Sequence, residues 1–342
     1  MFAAEATEDK PMTNTTMRAA IAETHSAPFR VTATARPQPS AGYVLVRIKA
    51  SAVNPLDIKI HAGEGAHARQ PLPAILGIDL AGVVEAIGPD VAGFAVGDEV
   101  YGMTGGVAGL QGSLAEFASV DAQLLAPMPS NLSMRVAAAM PLIFITAWEG
   151  LVDRASVRSG QTVLIHGGAG GVGHIAIQIA RAFGADVYST GSADSLEYIA
   201  SLGATPIDYK EMDVEAYVAK YTGGLGFDLV YDTVGGATLD KSFLAVRRFG
   251  QVVSCLGWGS HALGPLSFRA GTYSGVFTLL PMLSGEGRAH HGEILREATR
   301  LTEEGKIVPR IDHRHFDLNT ADEAYRLLKA GEAKGKLVVE IS

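Results

Sequence analysis

Cysteine is almost missing from this chain: Cys255 is the only one in 342 residues. No intrachain disulfide can form, and no cysteine-rich zinc site can be built. A chain without disulfides fits a reducing, cytoplasmic setting. Positive charge is also scarce. The 28 Lys and Arg are outnumbered by 36 Asp and Glu, for a formal net charge of -8. That balance argues against a general surface for nucleic acid or anionic membrane. Long apolar runs are lacking too. The longest, "VAAAMPLIFITAW" over 136–148, is too short to span a bilayer and contains Pro141. Acids follow Met1 where a signal peptide needs a basic and then an apolar region. There is no internal repeat and no low-complexity block.

What the chain has in quantity is glycine, 40 residues of it. Tight turns and close backbone approaches are therefore expected. Residues 1–16 are polar and lack periodicity, and are read as a flexible extension before a strand at "MRAAIAE". Up to about residue 130 the texture is short strands split by Gly and Pro turns. "YVLVRIKA" over 43–50 alternates as a half-buried strand does. The texture then changes to strands alternating with helices, from "QTVLIHGG" through "QVVSCLG", which predicts βαβ units and a parallel sheet. A helix in "EILREATRLTEEGKI" and a strand in "KGKLVVEIS" close the chain. The division expected is a β-rich unit over 17–137 and 286–342, with a dinucleotide-binding unit inserted over 138–285.

Gly168-Ala169-Gly170-Gly171-Val172-Gly173 matches G-x-G-x-x-G. An apolar strand precedes the pattern and an apolar-faced helix follows, the context that gives it meaning. The glycines permit a tight turn, and backbone N–H groups at the helix start can hold a pyrophosphate. The next strand, Asp186 to Ser192, ends on hydroxyls rather than on the Asp or Glu that binds a ribose 2′-hydroxyl in NAD sites. A 2′-phosphate meets no repulsion there, and Ser192 and Ser195 are candidate donors. The cofactor expected is NADPH.

Taken together, "VNPLDIKIHAG" (53–63), "GIDLAGVVEAIGPDVAGFAVGDEVYG" (77–102), "ITAWEGL" (145–151), "HGGAGGVGH" (166–174), "GATPIDYK" (203–210), "DTVGG" (232–236) and "KGKLVV" (334–339) resemble the medium-chain dehydrogenase/reductase superfamily. More narrowly, their order is similar to that of the zinc-independent quinone oxidoreductases related to zeta-crystallin. The resemblance covers about residues 17–342. It implies an α/β fold, with a Rossmann doubly wound parallel sheet inserted in a β-rich GroES-like domain. Zinc-containing alcohol dehydrogenases of the superfamily carry a Cys near Asn54 and a His-Glu pair at Ile78-Asp79. Isoleucine cannot bind a metal, and no metal site is expected. Without a Lewis acid, hydride should go to an acceptor that spreads the arriving charge by conjugation, a quinone or an α,β-unsaturated carbonyl.

The resemblance also implies site residues. Asn54 should lie near the nicotinamide and the substrate carbonyl. Relatives place Tyr and Arg where this chain has Lys59 and His61, so Lys59 is read either as an enolate-stabilising group or as a solvated side chain. His61 is expected at the surface, Asp57 as a structural partner and Trp148 as packing. Thr146 sits where relatives bond the nicotinamide ribose or amide, and Tyr209 matches a residue that reaches the adenosine phosphate. Cys255, Leu256 and Gly257 end the fifth parallel strand beside the expected nicotinamide ribose. Phe277 and Leu279 match a strand lining the nicotinamide, and Lys336 a position near the cofactor phosphates. Asp79 is expected to be buried and paired with a cation, Lys336 first. "GRAHHGE" (287–293) is read as a solvated helix start rather than a metal site. Relatives often form homodimers through sheet edges. Two functions stand side by side: an NADPH-dependent reductase of quinones or conjugated carbonyls, and a non-catalytic NADPH-binding sensor or structural protein.

Overall fold

The structure is a computed structural model, described here from Thr15 to Ser342. The expected extension over 1–16 therefore lies outside the described residues except at its end, where Thr16 already opens a strand. The first half of the chain is strands: β1 (Thr16–Ala22), β2 (Arg30–Ala35), β3 (Tyr43–Ala52), then helix α1 (Pro55–Ala62). It continues as β4 (Ala74–Ile75), β5 (Asp79–Ile87), β6 (Glu99–Met103), β7 (Phe117–Asp121) and β8 (Leu125–Pro127). Helices α2 (Met134–Ala138) and α3 (Pro141–Trp148) lead into the alternating half. That half runs β9 (Thr162–His166), α4 (Gly171–Ala182), β10 (Asp186–Gly191), α5 (Leu196–Ser201), β11 (Thr205–Asp208) and α6 (Val214–Thr222). It ends with β12 (Phe227–Asp232), α7 (Ala237–Ala245), β13 (Val246–Ser254), α8 (Gly264–Ser267) and β14 (Thr272–Gly275). Helices α9 (Leu280–Ser284), α10 (Arg288–Glu303) and α11 (Ala321–Lys329) and strand β15 (Val338–Glu340) finish the chain.

The parallel sheet has the order β11-β10-β9-β12-β13-β14. Numbered from β9 this is 3-2-1-4-5-6, the doubly wound order that leaves a crevice where the winding reverses, between β9 and β12. Val163, Leu164 and Ile165 of β9 are fully buried, as a central parallel strand covered on both faces must be. Helix α4 covers one face with Ile175, Ile177 and Ile179, each contributing about 1.5–3 kcal/mol by burial. The antiparallel sheet follows β15-β3-β5-β6-β8, with β7 also on β3.

β3 is the half-buried strand its alternation suggests: over 43–50, Val44, Val46, Ile48 and Ala50 are buried, while Tyr43, Arg47 and Lys49 are not. Leu45 alone departs from it, buried between β5 and β7 where the pairing with β5 shifts register between Leu45 and Val46. Through β15 the last residues return to the first sheet, Val338 opposite Ala52. That return brings Lys336 against Asn54. The segment "VRRFG" (246–250) does not continue helix α7. The chain leaves the helix at Ala245 and Val246 opens β13. Phe249 there has φ 59°, a left-handed backbone that no helix accepts. No helix among the described residues is long and apolar enough to cross a membrane.

Candidate active site

A cleft of about 1260 Å³ runs between the two sheets across the crevice of the parallel sheet. Its floor is the turn from β9 to α4. Gly170, Gly171 and Val172 line it, whereas Gly168 and Gly173 stand behind. A Cβ on Gly168 would come within 2.0 Å of Ser189 Oγ, and one on Gly173 within 2.1 Å of Gly167 O. The outer glycines thus allow close packing, and the inner ones leave a bare helix N-terminus open to an anion. His174, the next residue, is a neutral brace. Burial holds its pKa down at about 4, and Nδ1 lies 2.9 Å from Gly170 O. Its Nε2 accepts from Arg310 N at 3.2 Å.

One end of the cleft is lined by Ser192, Ser195, Tyr209 and Lys210 at the tips of β10 and β11. Ser195 Oγ donates to Ser192 O at 2.8 Å, so its hydroxyl is committed within the loop. Lys210 brings a positive charge to that end of the cleft. It was visible in "GATPIDYK", since a residue just past a parallel strand faces the same crevice. In the middle, His166 lines the cleft with Nδ1 3.0 Å from Thr190 Oγ1 and Nε2 buried without a protein partner. Cys255 and Leu256 line it as well. Burial pushes the Cys255 thiol up to about 12, which makes it an inert packing group. Gly257 does not reach the cleft; a Cβ there would strike Tyr273 OH at 2.1 Å. Phe277 and Leu279 line the far end, but from the turn after β14, which stops at Gly275. The strand expected there is shorter than its relatives' pattern implied.

A buried polar network lies at that far end. Asn54 caps α1, with Pro55 at the first helical position. Its backbone N–H donates to Asp57 Oδ2 at 2.8 Å. Its side-chain Nδ2 donates to Asp79 Oδ2 at 2.9 Å, and its Oδ1 accepts from Lys336 Nζ. The partners settle which end of the amide is which: an ammonium only donates and a carboxylate only accepts. Lys336 Nζ also donates to Val53 O at 3.0 Å, and Asp79 Oδ1 accepts from Leu142 N at 3.0 Å. Asp79 is fully buried, as the sequence led one to expect. Its partner differs: Asn54 stands between the acid and Lys336. Burial pushes the carboxyl of Asp79 up to about 6 and that of Asp57 up to about 7, and lowers the Lys336 ammonium. Ile78 beside them is a core residue. Among the described residues no three His, Cys, Asp or Glu side chains gather as a metal site.

Lys59 is exposed on α1 and lines the cleft. Thr146 is buried at the cleft wall, its hydroxyl donating to Leu142 O at 2.7 Å. Trp148 packs between Phe144 and Phe183. His61 is not a plain surface group: Nε2 lies 2.8 Å from Ala27 O and the ring stacks on Phe29. The histidine pair of α10 splits. His290 lies at the surface beside Asp153 and Glu293, but His291 is fully buried, contrary to a solvated helix start. His67, Trp258, Thr278 and Glu149 also belong to the region and were not singled out in sequence. They come from segments far apart in the chain, joined only by the fold.

Comparison with known proteins agrees with this architecture. Residues 40–130 match the family model described as alcohol dehydrogenase GroES-like domain, and residues 202–339 the one described as zinc-binding dehydrogenase. The chain is 39% identical over 304 residues to a 2-methylene-furan-3-one reductase of Solanum lycopersicum, covering 86% of this chain and 71% of that protein. It is 35% identical over 312 residues to a chloroplastic NADPH-dependent alkenal/one oxidoreductase of Arabidopsis thaliana, covering 89% and 73%. Among solved structures, an alcohol dehydrogenase superfamily protein from Novosphingobium aromaticivorans superposes with a TM-score of 0.94 at 58% identity, covering 95% and 100%.

Proposed function

The chain belongs to the medium-chain dehydrogenase/reductase superfamily, in its zinc-independent quinone-oxidoreductase-like family, and from that premise we propose that it uses NADPH to reduce conjugated carbonyls or quinones. The observation that carries the reading is Asn54 held between Lys336 and Asp79 at the cleft wall. One Nδ2 hydrogen goes to Asp79. The second has no protein partner among the described residues. It is a fixed N–H donor, polarised by the lysine on the other end of the amide, and suits an oxygen that gains negative charge.

The glycine turn, the open helix N-terminus and the unpartnered His166 Nε2 fit a dinucleotide laid along the cleft. Gly170 to Val172 would hold its pyrophosphate, Ser192, Tyr209 and Lys210 the 2′-phosphate, and Thr146, Phe277 and Leu279 the nicotinamide end. When bound, NADPH supplies the hydride, which leaves a saturated carbonyl compound once a proton is added. The chain's part is to orient the acceptor, to exclude water with Leu142, Ile143 and Phe277, and to receive the displaced charge at Asn54, with Lys59 at the rim. On this reading 17–137 with 286–342 form the substrate side and 138–285 the cofactor side.

The test is NADPH consumption with a panel of enones, enals and quinones beside saturated aldehydes. Turnover of the conjugated acceptors is expected. Turnover of the saturated aldehydes alone defeats the reading, and tight NADPH binding without turnover of any acceptor would favour a binding protein. The choice of NADPH has its own test. Lys210→Met should raise the KM for NADPH about tenfold, the worth of one charge-assisted contact, and leave that for NADH unchanged. Equal changes in both would place Lys210 away from the 2′-phosphate.

The assembly proposed is a homodimer formed along β14, the outer strand of the parallel sheet. Tyr273 and Ser274 pair inward with β13, and the outer edge is unpaired among the described residues. Phe268 beside it is 88% exposed and Leu263 55%, an apolar margin that a second copy would cover. Sedimentation should give the mass of two chains, and Phe268→Glu should shift it toward one. A monomer at all concentrations overturns the dimer.

A further inference from the structure

Glu149 opens a π-helical turn, Glu149–Arg154, that continues α3 beside the cleft. Such turns are rare and concentrate at functional sites. Its carboxylate meets residues from two other segments, Thr278 after β14 and His291 of α10. Glu149 Oε2 accepts from Thr278 Oγ1 at 2.8 Å, and Thr278 Oγ1 lies 3.1 Å from Thr146 Oγ1. Glu149 Oε1 lies 3.5 Å from Nε2 of His291, whose two ring nitrogens are buried with no hydrogen-bond partner among the described residues. The side chain of Glu149 is 12% exposed, and Thr146 and Thr278 both line the cleft. The result is a line of polar groups running from the buried side of α10 to the cleft wall.

Counting protons gives that line a direction. Each threonine hydroxyl has one hydrogen to give. The carboxylate of Glu149 has none, so the short contact with Thr278 uses the hydrogen of Thr278. The contact between the two hydroxyls then leaves Thr278 only as an acceptor toward Thr146. The hydrogen of Thr146 goes to Leu142 O at 2.7 Å or to Thr278. In both arrangements no hydroxyl hydrogen is left for the cleft. The wall formed by Thr146 and Thr278 offers lone pairs alone.

We infer that Glu149 is a positioning residue that fixes this wall as an acceptor, so that it recognises the N–H of a primary carboxamide such as that of nicotinamide. The inference rests on the dinucleotide reading above and extends it to residues outside the cofactor cleft. It also gives the buried polar line a use. Hydroxyls free to rotate would accept or donate equally well, and would not distinguish a carboxamide from a group of the same shape without N–H.

The probe is a pair of cofactors: NADP+ and its 3-acetylpyridine analogue, which carries a methyl ketone in place of the amide. Their Kd values are measured by calorimetry without turnover, then the kcat/KM values of the reduced pair. Wild type should favour the carboxamide about tenfold. Glu149→Leu removes the acceptor and frees the Thr278 hydrogen, and the preference should fall toward one. Glu149→Gln, whose amide oxygen still accepts, should keep most of it. If Glu149→Leu fails to fold, Thr278→Val against Thr278→Ser asks the same question, with the preference lost in the first and kept in the second. A variant that weakens both cofactors by the same factor shows a merely structural role and overturns the inference. Wild type that binds neither cofactor overturns the dinucleotide reading itself.

Discussion

Gly173→Ala should weaken NADPH binding at least about a hundredfold. The new Cβ would stand 2.1 Å from Gly167 O, 2.8 Å from Gly167 C and 2.9 Å from Gly168 Cα. All three are backbone atoms of the same turn, so no rotamer relieves the contact. Either α4 tilts off β9 or the turn moves. Both displace the N–H groups of Gly170 to Val172, and a hydrogen bond to a charged group contributes about 1.5–3 kcal/mol. Losing one or two accounts for the hundredfold. Titration of Trp fluorescence or calorimetry measures it. Unfolding in urea serves as the control, because a variant that is simply unfolded would show no transition. Binding within threefold of wild type would mean that the helix is less tightly set against the turn than the structure shows.

Lys336→Met should lower stability by about 3–5 kcal/mol at pH 8, the cost of leaving buried charge without its cation. The loss should be smaller at pH 5. The folded-state pKa values of Asp79 and Asp57, about 6 and about 7, lie above the unfolded value near 4. Groups raised in this way contribute stability that is complete below the unfolded pKa and is lost as pH rises through the folded one. Lys336 limits that loss, since its charge lowers both carboxyls. Without it the acids stay protonated to higher pH, and the deficit relative to wild type widens from about pH 5 upward. Unfolding curves at pH 5 and pH 8 decide this. A deficit independent of pH would mean that Lys336 serves only as packing. Activity should fall further than binding, because Asn54 loses the group that fixes and polarises its amide.

These two residues show how far sequence alone carried. The turn at Gly168 to Gly173 was legible because strand, glycines and helix are contiguous, and their spacing encodes the geometry. The burial of Asp79 was legible from its apolar neighbours. Its partner was not. Asn54 and Lys336 are separated by most of the chain, and sequence places both near the acid without saying which touches it. The line of three groups behind Thr146 was hidden for the same reason, since Glu149, Thr278 and His291 meet only after folding. His291 did leave a signal. It stands three and four residues before Ile294 and Leu295, which are buried on the inner face of α10, so helical period alone puts it inside. The adjacent His290 lies on the outer side of the same helix, beside Asp153 and Glu293. Phe277 and Leu279 reach the cleft from a turn rather than a strand, because β14 ends at Gly275 and Pro281 follows soon after.

The central claim is that hydride reaches a conjugated acceptor whose oxygen is met by Asn54. The most direct measurement is the fate of deuterium from C4-labelled NADPH, each face labelled in turn, during reduction of an enone. The account predicts label on the carbon β to the carbonyl, the double bond saturated and the carbonyl intact, and transfer from one face only. Label on the carbonyl carbon, with an allylic alcohol as product, would contradict it.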